Sequence, residues 1–410
     1  MVRGHRRGWC RTRRDAVSGI VSFVLLAVLG CVPDRIAVSR NNNDIVMALK
    51  GDGCGEVRLL GISCKASPDM ELYLYQLDQG RLIRLTRNDV CDICPDFSPD
   101  GKRLVYCSGD ARGLRNMLIK VMRLEDKSTR LIAQGLYPDW SPTTKHIAFL
   151  SGRDTAVAGK VERSFQLRIV RADGTDERLV HEYEPDKAPA FCWDSRGRRL
   201  YYAFEDGGQP RTVVRAFDVR TSAVTDVIQL ERPLWGADIG FTRLACSPGS
   251  THLALELPVP GASRVAVINL EQKTVESLDK DKEWAKVHVR DPKFSPSGIL
   301  STSCGYDPSF IVLYQLQRGT WQRIRTIPPL ASDAEAGALY WGNYAWLVVG
   351  GKEKMLAGYG QTDSERDFFE LRLIDAGSGK VEQNLTDRIK TAFLKAHRPT
   401  GPDDTGERGN

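Results

Sequence analysis

The sequence is short of the groups that do chemistry. Its six histidines (His5, His146, His181, His252, His288 and His397) form no H-E-x-x-H and no paired spacing, which removes the usual sequence signs of a metal centre. No G-x-S-x-G is present, so a serine-hydrolase nucleophile turn has no candidate. Long hydrophobic runs are missing too: the apolar stretch at residues 16–29 is shorter than a comfortable membrane span. Nor does the body carry charge of one sign. Of the 58 Lys and Arg and the 52 Asp and Glu, six bases and one acid precede residue 31, so 52 and 51 remain. A chain without a basic stripe is a poor fit to nucleic acid. From these absences the expectation is a protein that is not an enzyme and needs no metal and no cofactor.

What is present is a repeat. Residues 94–109 read CPDFSPDGKRLVYCSG, two short apolar strands folded about Ser-Pro-Asp-Gly. Pro99 presets φ, Asp100 can bond back to the backbone, and Gly101 accepts the positive φ that a Cβ resists. The frame returns as PDWSPTTKHIAF (138–149), FCWDSRGRRLYY (191–202), ACSPGSTHLAL (245–255) and PKFSPSGIL (292–300). Its anchor is the apolar residue before the turn: Val38, Phe97, Trp140, Trp193, Cys246, Phe294 and Trp341. In six of the seven an apolar residue follows seven positions later (Ile45, Leu104, Ile147, Leu200, Leu253, Val348); Ser301 breaks the rule after Phe294, which predicts a shortened turn there. Seven further hairpins alternate with these, at 71–86, 117–132, 165–180, 212–227, 264–278, 310–324 and 368–386, each with period-two alternation broken by a polar or glycine turn. Four strands per unit predicts an all-β chain, a β-propeller of four-stranded antiparallel blades. Seven blades are expected, with six plus an irregular N-terminal segment as the alternative.

The repeats resemble the TolB-type propeller family, whose blade motif reads like P-x-[FW]-S-P-D-G-K-x-[IL]. The match is closest at 95–106 and good at 138–149, and degenerate copies cover nearly all of 36–386. The resemblance implies a propeller in an exported protein. TolB's α/β domain ahead of the propeller has no counterpart between Cys31 and Ile36. The motif is shared with propellers attached to prolyl oligopeptidase-like hydrolases, whose hydrolase domain has no counterpart after Leu385.

The leader looks like a bacterial lipoprotein signal: an Arg-rich start, the apolar run, then Val28-Leu29-Gly30-Cys31. On this reading residues 1–30 are the signal peptide, Cys31 is lipidated, 31–386 form the propeller, and 387–410 hold a short helix and a disordered tail. An ordinary secretory signal, or a short anchor with an incidental Cys31, is the other reading. Either way the body is exported, and the lipid would tether it to a membrane of the cell envelope, on the periplasmic side or at the surface. In an oxidising compartment Cys54, Cys64, Cys91, Cys94 and Cys107 are disulfide candidates, since counting outward from Asp100–Gly101 puts Cys94 nearly opposite Cys107. Catalytic or buried free thiols are the alternatives.

Loop lengths are unequal. Turns within hairpins are tight, whereas 51–70, 151–164, 231–240, 279–291 and 350–367 read as long connections, all on one face of a propeller. Asp96 and Asp139, where inner strands begin, and Trp235, Arg290 and Asp291, in connections leading to inner strands, are the candidate partner-binding residues. For the two aspartates a structural role is the competing reading. The function expected is a lipid-anchored binding or scaffold protein presenting this face to a protein or cell-envelope polymer. The alternative is a propeller enzyme acting on a glycan or peptide at the channel mouth.

Overall fold

The computed structural model describes residues 36–39, 44–50, 70–109, 117–157, 160–183, 190–206, 211–231, 243–259, 262–278, 287–304, 310–328, 339–362 and 367–396. Their strands form seven sheets of four, each antiparallel and each in chain order. The blades span 36–84, 91–134, 136–182, 190–230, 244–277, 289–327 and 339–384. First strands touch between blades 1 and 2, 2 and 3, 4 and 5, and 5 and 6, the first strand of blade 1 touches that of blade 7, and buried clusters join blades 3 and 4 and blades 6 and 7, which closes a ring with first strands innermost. Residues 36–50 form an inner hairpin, with Val38 opposite Ile45, so the seven-blade count holds.

Period-two alternation builds the core between the blades rather than within them. In Arg103–Gly109 of blade 2, Leu104 and Tyr106 pack toward blade 1, while Val105 packs toward blade 3. A buried apolar cluster fills each of the seven seams. Both faces of an inner strand are therefore dry, and outward strands such as Thr129–Gln134 turn polar and exposed. The outermost pair is bulged in five blades, which twists the free edge away from pairing with another chain.

The inner turns close as their sequences predict. The N–H groups of Gly101, Thr144, Gly197, Ser250 and Gly298 donate back to Ser98, Ser141, Asp194, Ser247 and Ser295 at 2.8–3.0 Å. Blade 6 has the shortened turn, with Phe294 opposite Leu300. Blade 7 departs from expectation. Residues 339–349 are one strand, Leu339–Val349, and the turn falls at Gly350–Gly351, where φ is 59° and 75°. Trp341 is thus not the anchor of a hairpin with Val348; Val348 pairs with Glu353. Segments read as long connections are also partly strand: His146–Val157 and Lys160–Arg171 pair out to Val157–Lys160, Lys352–Thr362 is the second strand of blade 7, and Arg290 and Asp291 lie in the inner strand Val289–Phe294 rather than in the connection before it.

Among the described residues no strand is shared between first and last blades. Their seam is filled by Ile45, Tyr73 and Leu82 from blade 1, Leu356 and Leu373 from blade 7, and Leu385 and Ile389 from the helix Thr386–Ala396. The Asn384 side chain accepts the Thr386 N–H at 3.0 Å and so starts this helix. Among the described residues no helix is long and apolar enough to cross a membrane.

Candidate functional site at the inner strands of blades 5 to 7

Three inner strands share a local device. Cys94, Tyr137 and Asp291 each precede a proline and each take a positive φ, of 53°, 51° and 52°. The ladder slips one step at each point. A non-glycine residue in this region is strained, and persists where its surroundings demand it. In blade 2 the slip sets Ile93, not Cys94, opposite Cys107. No disulfide joins the six described cysteines, which include Cys91, Cys94 and Cys107. Cys31, Cys54, Cys64 and Trp235 lie outside the described residues.

Asp96 through its carboxylate and Asp139 through its backbone carbonyl each tie a seam between blades. Asp96 Oδ2 accepts the backbone N–H of Trp140 in blade 3 at 2.8 Å, and the Asp139 carbonyl accepts the Trp193 indole N–H of blade 4 at 3.1 Å. Each tie fixes the anchor tryptophan of the following blade.

Arg290 and Asp291 belong to a different arrangement. The bulge in Val289–Phe294 turns the Asp291 carboxylate toward Arg243 of blade 5, 3.4 Å away, and Lys293, 3.5 Å away. The Asp291 N–H donates to Glu256 Oε2 at 3.2 Å, and the Arg290 guanidinium lies 4.0 Å from Glu256 Oε1. Arg290 also donates to Ser263 Oγ at 3.3 Å and meets His288 Nδ1 at 2.8 Å. Blade 7 completes the group: the Tyr344 hydroxyl donates to the Asp291 carbonyl at 2.7 Å, and Lys293 donates to the Tyr344 carbonyl at 2.6 Å. Arg243 and Arg290 reach solvent with 31% and 38% of their side chains exposed, while Glu256 and Asp291 are held back at 15% and 17%. Basic tips therefore surround recessed carboxylates.

Burial pushes the Glu256 carboxyl up to about 7, against the Asp291 N–H and the Arg290 charge, which favour the carboxylate. A carboxyl that exchanges its proton near neutrality, beside a guanidinium, can act as acid or base. Of this group Arg290 and Asp291 were expected from the sequence, whereas Arg243, Glu256, Ser263 and Tyr344 were not. One signal for Glu256 is visible in HLALELPV, where a lone acid interrupts an apolar second strand.

No protein-family model matches the sequence, and no curated protein is significantly similar to it. Solved structures resemble it in fold. A prolyl endopeptidase superposes with a TM-score of 0.55 at 13% identity, over 90% of this chain and 52% of that one. The β-propeller domain of the Trilobed protease from Pyrococcus furiosus gives 0.54 at 13% identity, over 87% and 95%. TolB from Acinetobacter baumannii gives 0.41 at 14% identity, over 69% and 63%. The chain thus spans about half the length of the endopeptidase and nearly all of the isolated propeller domain. These neighbours correct the expectation that the chain is not an enzyme: the endopeptidase and the Trilobed protease, each with a TM-score above 0.5, are proteins named for peptide cleavage, so the fold gives no ground for setting catalysis aside. What the seven sheets and these superpositions establish together is the architecture, a seven-bladed β-propeller.

Proposed function

We propose that this protein is an exported recognition propeller, tethered through lipidated Cys31, whose face carrying the second-to-third-strand and blade-to-blade connections engages a protein, a peptide segment or a cell-envelope polymer. The observation that carries the reading is the cluster of Arg243, Arg290 and Lys293 around Asp291 and Glu256, drawn from blades 5 and 6 and braced by Tyr344 of blade 7. A rigid ring holds such groups in fixed geometry although they are far apart in sequence. Basic tips over recessed acids suit a polar, charged partner, and the peptidase names of the neighbours favour a peptide chain. Trp235, twenty-odd residues before Glu256, supplies the aromatic anchor that interfaces favour.

The test is affinity capture from membranes of the organism with the intact protein, Arg290→Ala, Trp235→Ala and a control altered on the opposite face, Lys127→Ala. Trp235→Ala is expected to weaken partner binding by about 1–3 kcal/mol with little change in thermal stability. Equal loss in Lys127→Ala would remove the assignment of the face. The tether is tested separately: Cys31→Ser should abolish fatty-acid labelling, and labelling that survives excludes this cysteine.

Glu256 favours a second reading, in which the same mouth acts on a peptide or glycan with this carboxyl as acid or base. Turnover of a peptide or glycan library that is lost in Glu256→Gln supports it; turnover unchanged in that variant rejects it.

A further inference from the structure

Helix Thr386–Ala396 does more than fill the seam that closes the ring. Its first turns and the outer hairpin of blade 1 enclose a groove of about 710 Å³. The groove lies at the turn between Met70–Gln76 and Arg81–Arg84, on the face opposite the candidate site. Its lining joins the apolar Leu82 and Ala392 to two bases, Arg81 and Arg388, and one acid, Asp387. Among the described residues neither guanidinium pairs with a carboxylate; Arg388 Nη1 donates to the neutral Gln383 Oε1 at 3.0 Å.

Gly80 marks where the donors meet. Its φ is 59°, and the point that a Cβ would occupy there lies 3.2 Å from Arg388 Nη2 and 4.0 Å from the Tyr75 hydroxyl. Tyr75 is fully buried, and its hydroxyl meets no hydrogen-bond partner. Burial pushes this hydroxyl up, against the charge of Arg388, so it keeps its proton and can donate it. An enclosed hydroxyl without a partner is costly to keep. Here it stands beside a guanidinium, and what the two donors lack is an acceptor common to both.

We propose that this groove binds a small ligand through an oxyanion, carboxylate or phosphate, held by Arg388, Arg81 and the Tyr75 hydroxyl. An oxyanion accepts from several donors at once, the guanidinium fork matches its oxygens, and the start of the helix adds partial positive charge. The groove is larger than such a group alone, and Leu82 and Ala392 suit an apolar body attached to it. Leu385 and Ile389 of the same helix sit in the seam of blades 1 and 7, so a ligand joining the helix to blade 1 strengthens ring closure. No motif announces this site, because its two bases come from opposite ends of the propeller sequence.

The experiment titrates the full chain with inorganic phosphate or with acetate at constant ionic strength and neutral pH, read by calorimetry and by thermal unfolding. The expected result is saturable binding of one anion per chain and a rise of roughly 2 °C in the unfolding midpoint. Saturation by either anion supports the site, and the one that binds more tightly names the oxyanion. Arg388→Gln should weaken binding about tenfold. Tyr75→Phe removes only the unpartnered oxygen, so it should weaken binding several-fold while the midpoint without ligand stays level or rises. Arg318→Gln, at the corresponding turn of blade 6, should bind as the parent does. No saturable binding of either anion, or a midpoint rise equal in all variants, which is the general effect of salt, overturns the proposal. So does a Tyr75→Phe midpoint that falls well below the parent's without ligand, since the hydroxyl is then already paired.

Discussion

Blades 2 and 6 bend their inner strands in the same way and use the bend differently. Cys94-Pro95-Asp96-Phe97 and Asp291-Pro292-Lys293-Phe294 coincide residue for residue, with the strained position before the proline in each. After the proline, Asp96 accepts from the backbone N–H of the next blade, and Lys293 donates to a backbone carbonyl of the next blade. Opposite charges thus perform one task, stitching a blade to its successor. The strained residue carries the difference. In blade 2 it is a buried cysteine, whereas in blade 6 it is an aspartate turned toward Arg243 and Lys293. An aspartate near the channel is therefore not evidence of a binding site; its partner decides.

The largest expected effect lies on the stitched side. Trp140 is 4% exposed and packs with Val105, Ile119 and Phe149 at the seam of blades 2 and 3, with the Arg103 guanidinium 4.9 Å from its ring. Trp140→Ala should cost about 3–5 kcal/mol in denaturant unfolding. A cost below that of an ordinary surface change would mean that the seam is not a core.

On the blade 6 side the expected signature is dependence on pH. The Glu256 carboxyl is raised to about 7 in the folded protein from 4.5. A raised carboxyl holds its proton more tightly when folded, so its contribution is fully present below 4.5, declines as pH climbs, and is lost above about 7. Glu256→Gln keeps an acceptor for the Asp291 N–H and removes that decline, a difference of about 3 kcal/mol at most between the ends of the window. Parallel stability curves for variant and parent across this range would contradict the burial of this carboxyl.

Asp96 offers a smaller and sharper contrast. Asp96→Ala leaves the Trp140 N–H without its acceptor and should cost about 1–3 kcal/mol, while Asp96→Asn, which retains an oxygen, should cost much less. Neither should alter partner capture. Loss of capture in Asp96→Asn would show that this carboxylate also contacts the partner.

Much of the ring was legible because its turns are chemical statements. Ser-Pro-Asp-Gly names its own geometry, and the alternation of Leu104, Val105 and Tyr106 fits a strand buried on both sides. Blade 7 was misread because YWGNYAWLVVG mimics an anchor and turn, while the operative turn is the glycine pair beyond it. Half of the candidate site was legible: Arg290 and Asp291 were expected in the connection before an inner strand and lie within that strand, Val289–Phe294. Arg243 and Glu256 come from the preceding blade, and their approach depends on a slip in the ladder that residue counting does not register. The slip has a trace in sequence, a bulky or polar residue before proline at 94–95, 137–138 and 291–292, which is visible once the frame is aligned.

The smallest effect separates blades 2 and 3 at their turns. Gly101 sits at φ 67°, and Thr144 holds the corresponding place at φ 61°. Both donate to the serine that opens the turn, so the hydrogen bond is kept and only the conformational cost differs. A side chain in this region loses roughly 1–2 kcal/mol relative to glycine. Glycine in turn gives the unfolded chain more freedom, which takes back about 0.4–1 kcal/mol. Thr144→Gly should therefore stabilise the protein by roughly 0.5 kcal/mol, with the unfolding slope unchanged. The Thr144 carbonyl still receives the Arg103 guanidinium at 3.3 Å, so the seam contact survives the change. A loss of more than about 1 kcal/mol in denaturant unfolding, beyond the entropic term, would show that the threonine side chain supports blade 3 in a way that its backbone angle alone does not require.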